Sequence, residues 1–238
     1  HYFQHENIID AVNDNDTAYY VIAEHGMWKL YFKNEKIFTE SITVDINETF
    51  KCIQIIGEIV WMGTTNDIYC TPKNRIEFKK LASEMPEWGK RVPAMNFDIR
   101  NIEQNAKNEI WIGSKNGLYE IKIDKTIKHF IHNEDGTGLS HSSVHSLYLS
   151  PTGLIWAGTW GGGVTYFKEG YHKFVHFKKY PGSNINQLTD NIVSNFSEDK
   201  NGVWITTEQG GLNYFNFEKQ IFEQPFFILI AFKFIFVS

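Results

Sequence analysis

The chain has 238 residues, 42% of them hydrophobic, 16% aromatic and 21% charged, which is enough for one large domain or two small ones with a packed core. It is too apolar and too aromatic for disorder. With 23 basic and 28 acidic side chains the formal net charge is −5, so a non-specific grip on nucleic acid has no electrostatic footing. Two cysteines exclude a disulfide-stapled miniature scaffold. Eighteen glycines against six prolines, with nineteen Phe, eleven Tyr and seven Trp, favour many short strands and tight turns.

The chain opens on His1-Tyr2-Phe3 with no basic-then-apolar leader, so the expectation is a removed leader or a piece of a longer protein. A weak copy of a recurring stretch then starts at Tyr19 (YYVIAEHGMW). Stronger copies follow at Trp61 (WMGTTNDIY), Trp111 (WIGSKNGLY), Trp156 (WAGTWGGGVTY) and Trp204 (WITTEQGGLNY). The tryptophans stand 50, 45 and 48 residues apart, and Tyr20 takes their place in the first copy. Five copies in roughly 225 residues give about 45 per copy, a period typical of repeat architectures.

Each copy carries the same punctuation. A strand-like run such as Val144–Leu149 or Ile192–Phe196 leads to a turn: Asn13–Asp16, Gly57-Glu58, Lys107-Asn108, Pro151–Gly153 or Asp199–Gly202. The aromatic run comes next, then a glycine turn, then a third run such as Val164–Phe167 or Leu212–Phe215. A fourth run closes the unit: Ile127–Ile131, Lys173–Phe177 or Gln220–Phe222. Four strands of about five residues joined by short turns are antiparallel hairpins. No 3.6-residue apolar stripe of helical length interrupts them.

One four-stranded sheet has two faces and cannot bury both alone. Radial stacking of such sheets buries each against its neighbours and leaves only short edges. The expected fold is therefore all-β, a β-propeller of about five four-stranded antiparallel blades spanning residues 1–224. The Trp of the second strand is the wedge between sheets. Residues 225–238 stand apart: Pro225–Val237 is thirteen residues, apolar except for Pro225 and Lys233. That is short of the about 20 residues of a membrane span. The readings are a buried or sticky strand, an anchor, or a non-native, truncated or frame-shifted end.

The copies resemble the two-component regulator propeller repeat. In 139–167 the residues Leu139-Ser140, Val144, Gly153, Ile155-Trp156-Ala157-Gly158-Thr159 and Gly161-Gly162-Gly163-Val164 fall in the order of its pattern. In 188–215, Leu188-Thr189, Val193, Glu198-Asp199, Gly202, Val203-Trp204-Ile205 and Gly210-Gly211-Leu212 do the same. Thr206 replaces a glycine of the pattern, Asp67 replaces a turn glycine, and the first copy lacks the Trp. That family usually builds seven-bladed propellers in the periplasmic sensor region of hybrid sensor histidine kinases. The resemblance implies a signal-sensing module for an oligosaccharide, extracytoplasmic, with no catalysis, no cofactor and no catalytic residue in this segment. It implies that the remaining blades and the downstream sensor and kinase domains are partners. Five copies are fewer than the usual ring, and an open arc of blades invites pairing with missing blades or with a second copy.

In such a meander the turn after strand two and the connection from strand four to the next blade share one end. That end gathers His25, Thr65-Asn66-Asp67, Lys115-Asn116, Trp160-Gly161 and Glu208-Gln209, with the connections Asn133–Ser142 and Pro181–Asn191. An aromatic face with convergent amides, acids and a lysine suits sugars. Trp160, His25, Asn66, Lys115, Glu208 and Gln209 are the ligand-binding candidates, with Trp160 foremost because it interrupts a turn of glycines. The alternatives are packing of Trp160 on a neighbouring blade and ordinary solvated loop for the others. Trp61, Trp111, Trp156 and Trp204 are expected to pack.

Nine histidines raise a metal reading, with His129/His132, His141/His145 and His172/His176 close in sequence. On strands the i,i+4 logic of helical chelation fails, and no metal site is expected. Cys52 and Cys70 fall on non-adjacent strands and read as two buried free thiols. The glycine run 161–163 lacks the Lys-Ser/Thr of a phosphate loop. Lys79-Lys80 and Lys178-Lys179 read as solvated faces. The competing functions are a propeller enzyme, a lyase or glycosidase with groups from several blades, and a protein-binding scaffold.

Overall fold

The computed structural model describes residues 6–15, 18–34, 36–73, 75, 77–91, 97–168, 174–183 and 186–223; the apolar tail lies outside these. They form five four-stranded antiparallel sheets, each a simple meander, and define an all-β propeller. Blade 1 is β1 (Ile8–Asn15), β2 (Ala18–Ala23), β3 (Gly26–Lys33) and β4 (Lys36–Ile42). Blade 2 is β5 (Phe50–Ile56), β6 (Ile59–Thr64), β7 (Ile68–Pro72) and β8 (Lys79–Lys80). Blade 3 is β9 (Ile99–Gln104), β10 (Ile110–Ser114), β11 (Gly117–Ile121) and β12 (Ile127–Phe130). Blade 4 is β13 (Val144–Leu149), β14 (Leu154–Thr159), β15 (Gly163–Lys168) and β16 (Val175–Phe177). Blade 5 is β17 (Val193–Asp199), β18 (Gly202–Thr207), β19 (Gly211–Asn216) and β20 (Ile221–Glu223).

The described residues divide into two compact units, one up to Ile102 and one from Glu103 on. In the first, Tyr20, Ile22, Met27 and Ile42 of blade 1 form one apolar cluster with Phe50, Ile53, Val60, Met62 and Tyr69 of blade 2. Tyr20 thus does the packing expected of the missing Trp. In the second, Trp111 and Leu118 of blade 3 cluster with Val144, Leu147, Ile155 and Phe167 of blade 4. Trp156 and Val164 of blade 4 cluster in the same way with Val193, Phe196, Val203 and Phe215 of blade 5. The second-strand aromatic is the wedge at each of these interfaces.

The glycine two residues after the Trp has a physical cause. A Cβ on Gly158 would lie 2.6 Å from Val193 Cγ1 of the next blade, and one on Gly63 would lie 2.6 Å from Ile99 Cγ2. The close approach of the following first strand therefore needs no side chain there.

Several expectations are corrected. Asn13–Asn15 belong to β1 and not to a turn. The connection after blade 2 holds two short helices, α1 (Leu81–Glu84) and α2 (Pro86–Arg91). Trp88 and Phe97 in this segment are both 1% exposed, with ring centroids 6.3 Å apart. Cys52 is buried, its thiol donating to the Ile99 carbonyl at 3.6 Å, but Cys70 is only half-buried, and the two do not form a disulfide. Trp204 is half-buried, unlike Trp61, Trp111 and Trp156; its indole N–H donates to Asp199 Oδ2 at 3.0 Å, and its ring lies 4.5 Å from that of Tyr214.

Candidate functional site

The second strand of four blades ends in a hydroxyl residue with one local task. Ser114, Thr159 and Thr207 donate to the carbonyls of Gly117, Gly163 and Gly211 at 3.0, 2.9 and 3.1 Å, and Thr64 lies 2.9 Å from the Asp67 carbonyl. This closes the turn to strand three. In blade 4 the hydroxyl belongs to a buried chain: Ser140 N–H donates to Thr165 Oγ1 (2.8 Å), Thr165 to Ser140 Oγ (2.8 Å) and Ser140 to Thr159 (3.3 Å). Blade 5 repeats it with Thr189, Asn213 and Thr207. The Leu-Ser and Leu-Thr pairs of the repeat therefore fix the incoming connection to the tip of the blade it enters.

On that tip in blade 4 sits Trp160, 46% exposed. Its backbone is held from both sides. Trp160 N–H donates to the Ser143 carbonyl (2.9 Å), while Gly161 and Gly163 both donate to the Asn191 carbonyl (3.1 and 2.9 Å). Trp160 also forms an antiparallel bridge with Ile192. The side chain of Asn191 brackets Lys179, accepting from its N–H at 2.6 Å and donating to its carbonyl at 3.2 Å. The glycine run is accounted for by this geometry. Gly161 and Gly163 have φ of +82° and +74°, and a Cβ on Gly162 would lie 2.6 Å from Thr159 Oγ1 and 2.7 Å from His141 Cβ. The indole itself meets the His145 ring, centroids 5.3 Å apart and planes tilted by 56°.

The second unit thus places Lys115, Trp160, Glu208 and Gln209 on the same class of turn, all exposed. Glu208 N–H donates to Ile192 O at 3.0 Å, so the tips of blades 4 and 5 share the Ile192 segment. In the first unit, His25 is exposed and lies 3.4 Å from Glu6 Oε2, and Asn66 is exposed at the tip of blade 2.

Asp67, expected beside Asn66 as a solvated turn residue, is buried. Lys80, expected on a solvated face, lies 3.4 Å from Asp67 Oδ2 and 3.5 Å from Glu48 Oε1, with its ammonium 5.5 Å from the Tyr69 ring centre. Tyr69 donates to Glu48 Oε1 at 2.8 Å, and the Thr64 hydroxyl reaches Glu48 Oε2. Burial opposes the Glu48 charge, but the hydrogen bonds of Thr64 and Tyr69 and the Lys80 ammonium overrule it and hold the carboxyl below its ordinary range. Burial and the Glu48 hydrogen bond push the Tyr69 phenol up to about 12, so it is a fixed donor and not a base. Sequence reasoning missed this cluster, which joins Glu48 to Lys80, 32 residues on.

The histidines serve as loop anchors. His129, His132 and His176 donate ring N–H groups to the carbonyls of Asn116 (2.9 Å), Leu139 (2.8 Å) and Gly138 (2.9 Å). His1, His5 and His172 lie outside the described residues. Among the described residues no group of three or more His, Cys, Asp or Glu is arranged to hold a metal, and no helix is long and apolar enough to cross a membrane.

The fold and the tips define a β-propeller with exposed polar and aromatic tip loops. No family model and no curated protein matches the sequence. Among solved structures it is similar to the extracellular domain assigned to the hybrid two component system BT3049 from B. thetaiotaomicron. The TM-score is 0.66 at 17% identity, over 91% of this chain and 29% of that one. It is also similar to virginiamycin B lyase from Staphylococcus aureus (TM-score 0.61, 13% identity, 91% and 69% covered). A third is YCF48 bound to D1 peptide (TM-score 0.61, 10% identity, 92% and 66% covered). At these identities the likeness is one of fold, and the chain spans less than a third of the length of the BT3049 domain.

Proposed function

We propose that this chain is part of the ligand-sensing propeller of a two-component sensor of the regulator-propeller family. It works on the periplasmic side of the inner membrane, binds an oligosaccharide and performs no catalysis. Its repeats, residues 1–224, belong to a larger propeller whose further blades and downstream sensor and kinase domains are its partners. The observation that carries the ligand reading is Trp160: a large indole standing 46% in water on a turn whose backbone is fixed by Ser143, Asn191 and three glycines. A rigid, half-exposed aromatic face is the arrangement that stacks on a sugar ring. Lys115, Glu208 and Gln209 supply polar groups on corresponding tips of the same unit, and His25 and Asn66 on those of the first.

Calorimetric titration of the chain with a panel of plant and host oligosaccharides tests this. Heat of binding that disappears in Trp160→Ala, with the fold intact by circular dichroism, is the expected result. No heat from any member of the panel would favour a protein-binding scaffold, and turnover of a member would favour an enzyme.

A further inference from the structure

The glycine turn that presents Trp160 is braced by one histidine. His141 lies directly against the backbone of Gly162: a Cβ built there would be 2.7 Å from His141 Cβ. His141 Nδ1 accepts the N–H of Ser143 at 3.0 Å, and the Ser143 carbonyl in turn accepts the N–H of Trp160 at 2.9 Å. Because Nδ1 is the acceptor, this bond requires the neutral imidazole with its proton on Nε2. A proton on Nδ1 turns the acceptor into a donor facing a donor.

We propose that His141 is a pH-sensitive positioning residue. In its neutral form it holds Ser143, and through it the Trp160 turn; protonation releases Ser143 and lets the indole platform loosen. This rests on the reading of Trp160 as the ligand platform only for its biological sense, since the coupling from His141 to Trp160 is a property of the loop itself. The charged and titratable neighbours act in one direction. His141 is exposed, yet partial desolvation against the turn comes first in holding it below its ordinary value, followed by the charges of His132, two residues past β12, and Lys178, after β16. His145, on β13, faces the Trp160 ring. On the other side of the turn Asp190 is engaged by the N–H of Ile192 at 3.3 Å, and Glu208 is exposed. His129, His132 and His176 meet carbonyl oxygens and so donate there, whereas His141 accepts through Nδ1, and a proton on that atom breaks its loop bond.

The brace is intact above the ordinary histidine value near pH 6.5 and is lost as the pH falls through the lowered value in the folded state. The test is amide NMR of the isotopically labelled full chain between pH 8 and 5, with no ligand present. The Ser143 and Trp160 amide resonances should move together with one midpoint below 6.5. In His141→Asn, whose side-chain oxygen can still accept from Ser143, the neutral-pH positions should persist and the shared midpoint vanish. In His141→Ala both amides should sit near their acid positions at every pH. A Trp160 amide that does not move in the wild type, or one that still titrates with Ser143 in His141→Asn, overturns the proposal whether or not an oligosaccharide binds.

Discussion

Blades 2 and 4 solve the same problem at the same place with different chemistry. In each, the residue ending strand two must close the turn to strand three and tie down the incoming connection. Blade 4 does it with neutral groups: Ser140, Thr159 and Thr165 pass hydrogen bonds along a fully buried chain to the Gly163 carbonyl. Blade 2 does it with ions: Glu48 and Asp67 share the Lys80 ammonium, and Tyr69 and Thr64 complete the carboxylate. Neutral chains leave room for a glycine turn with an exposed indole on top. The ionic solution fills its own tip, because Asp67 stands where the other blades have glycine and points its charge inward. One repeat can therefore be closed by ions at one tip and carry an exposed indole at another.

The largest expected difference lies in the turns themselves. Gly162→Ala drives a methyl into Thr159, His141 and the Ser140 carbonyl, and should cost about 1–3 kcal/mol in chemical denaturation. Asn66→Ala, at the exposed tip of blade 2, should stay within about 0.5 kcal/mol. Equal losses would mean that the two tips are not built differently.

Next come the hydroxyls. Thr159→Val keeps the shape but removes the donor to Gly163 and the acceptor for Ser140 in a dry setting, so about 2 kcal/mol is expected. Thr64→Val should cost at least as much, about 2 kcal/mol: Glu48 retains Tyr69 and Lys80, but Thr64 is equally dry, and the Asp67 carbonyl and the Asp67 N–H lose their partner. The urea midpoints of the two variants are the readout.

Acid titration separates the ionic blade from the neutral one. Glu48 has its pKa lowered in the folded state, so its contribution is complete above about 4.5, the unfolded value, and is lost as the pH falls through the folded one. Lys80→Met should bring this loss to higher pH and lower stability at pH 7 by about 1 kcal/mol, a modest figure because the ammonium is half in water. Urea midpoints at pH 7 and at steps down to 3 would show it, and an unchanged acid limb would remove Glu48 from the account. Trp160→Ala should also be mild, within about 1 kcal/mol in stability, since much of the ring is already solvated. Its consequence should appear in oligosaccharide titration instead.

The blades were legible because their signal is periodic: an indole or Tyr20 at each second strand, flanked by turn residues, states both the strand and its packing role. Trp204 departs from the pattern in burial, although its sequence context matches, because burial of the wedge depends on what faces it and not on its own blade. The helices at 81–91 were not legible, since four and six residues are too few to show a 3.6 period, and Trp88 carries no local mark of its burial. The site was legible as a set of turns and not as a mechanism. Trp160 stands out among glycines, but the pairing of Lys80 with Asp67 crosses a strand, and the part played by His141 depends on which ring nitrogen meets which amide. The spacing of His141 and His145 suggested a pair; the fold sends one to a backbone brace and the other to an aromatic ring.

Asn191 has a practical consequence for anyone who would shuffle these modules. Its carbonyl receives two amides of the Trp160 turn, yet it lies in the segment that leads into blade 5. A cassette cut between the fourth strand of one sheet and the first of the next would leave the Trp160 tip of blade 4 without its clasp. The transferable piece runs instead from the middle of one meander to the middle of the following one, so grafts and chimaeras should be spliced through the sheets and not between them.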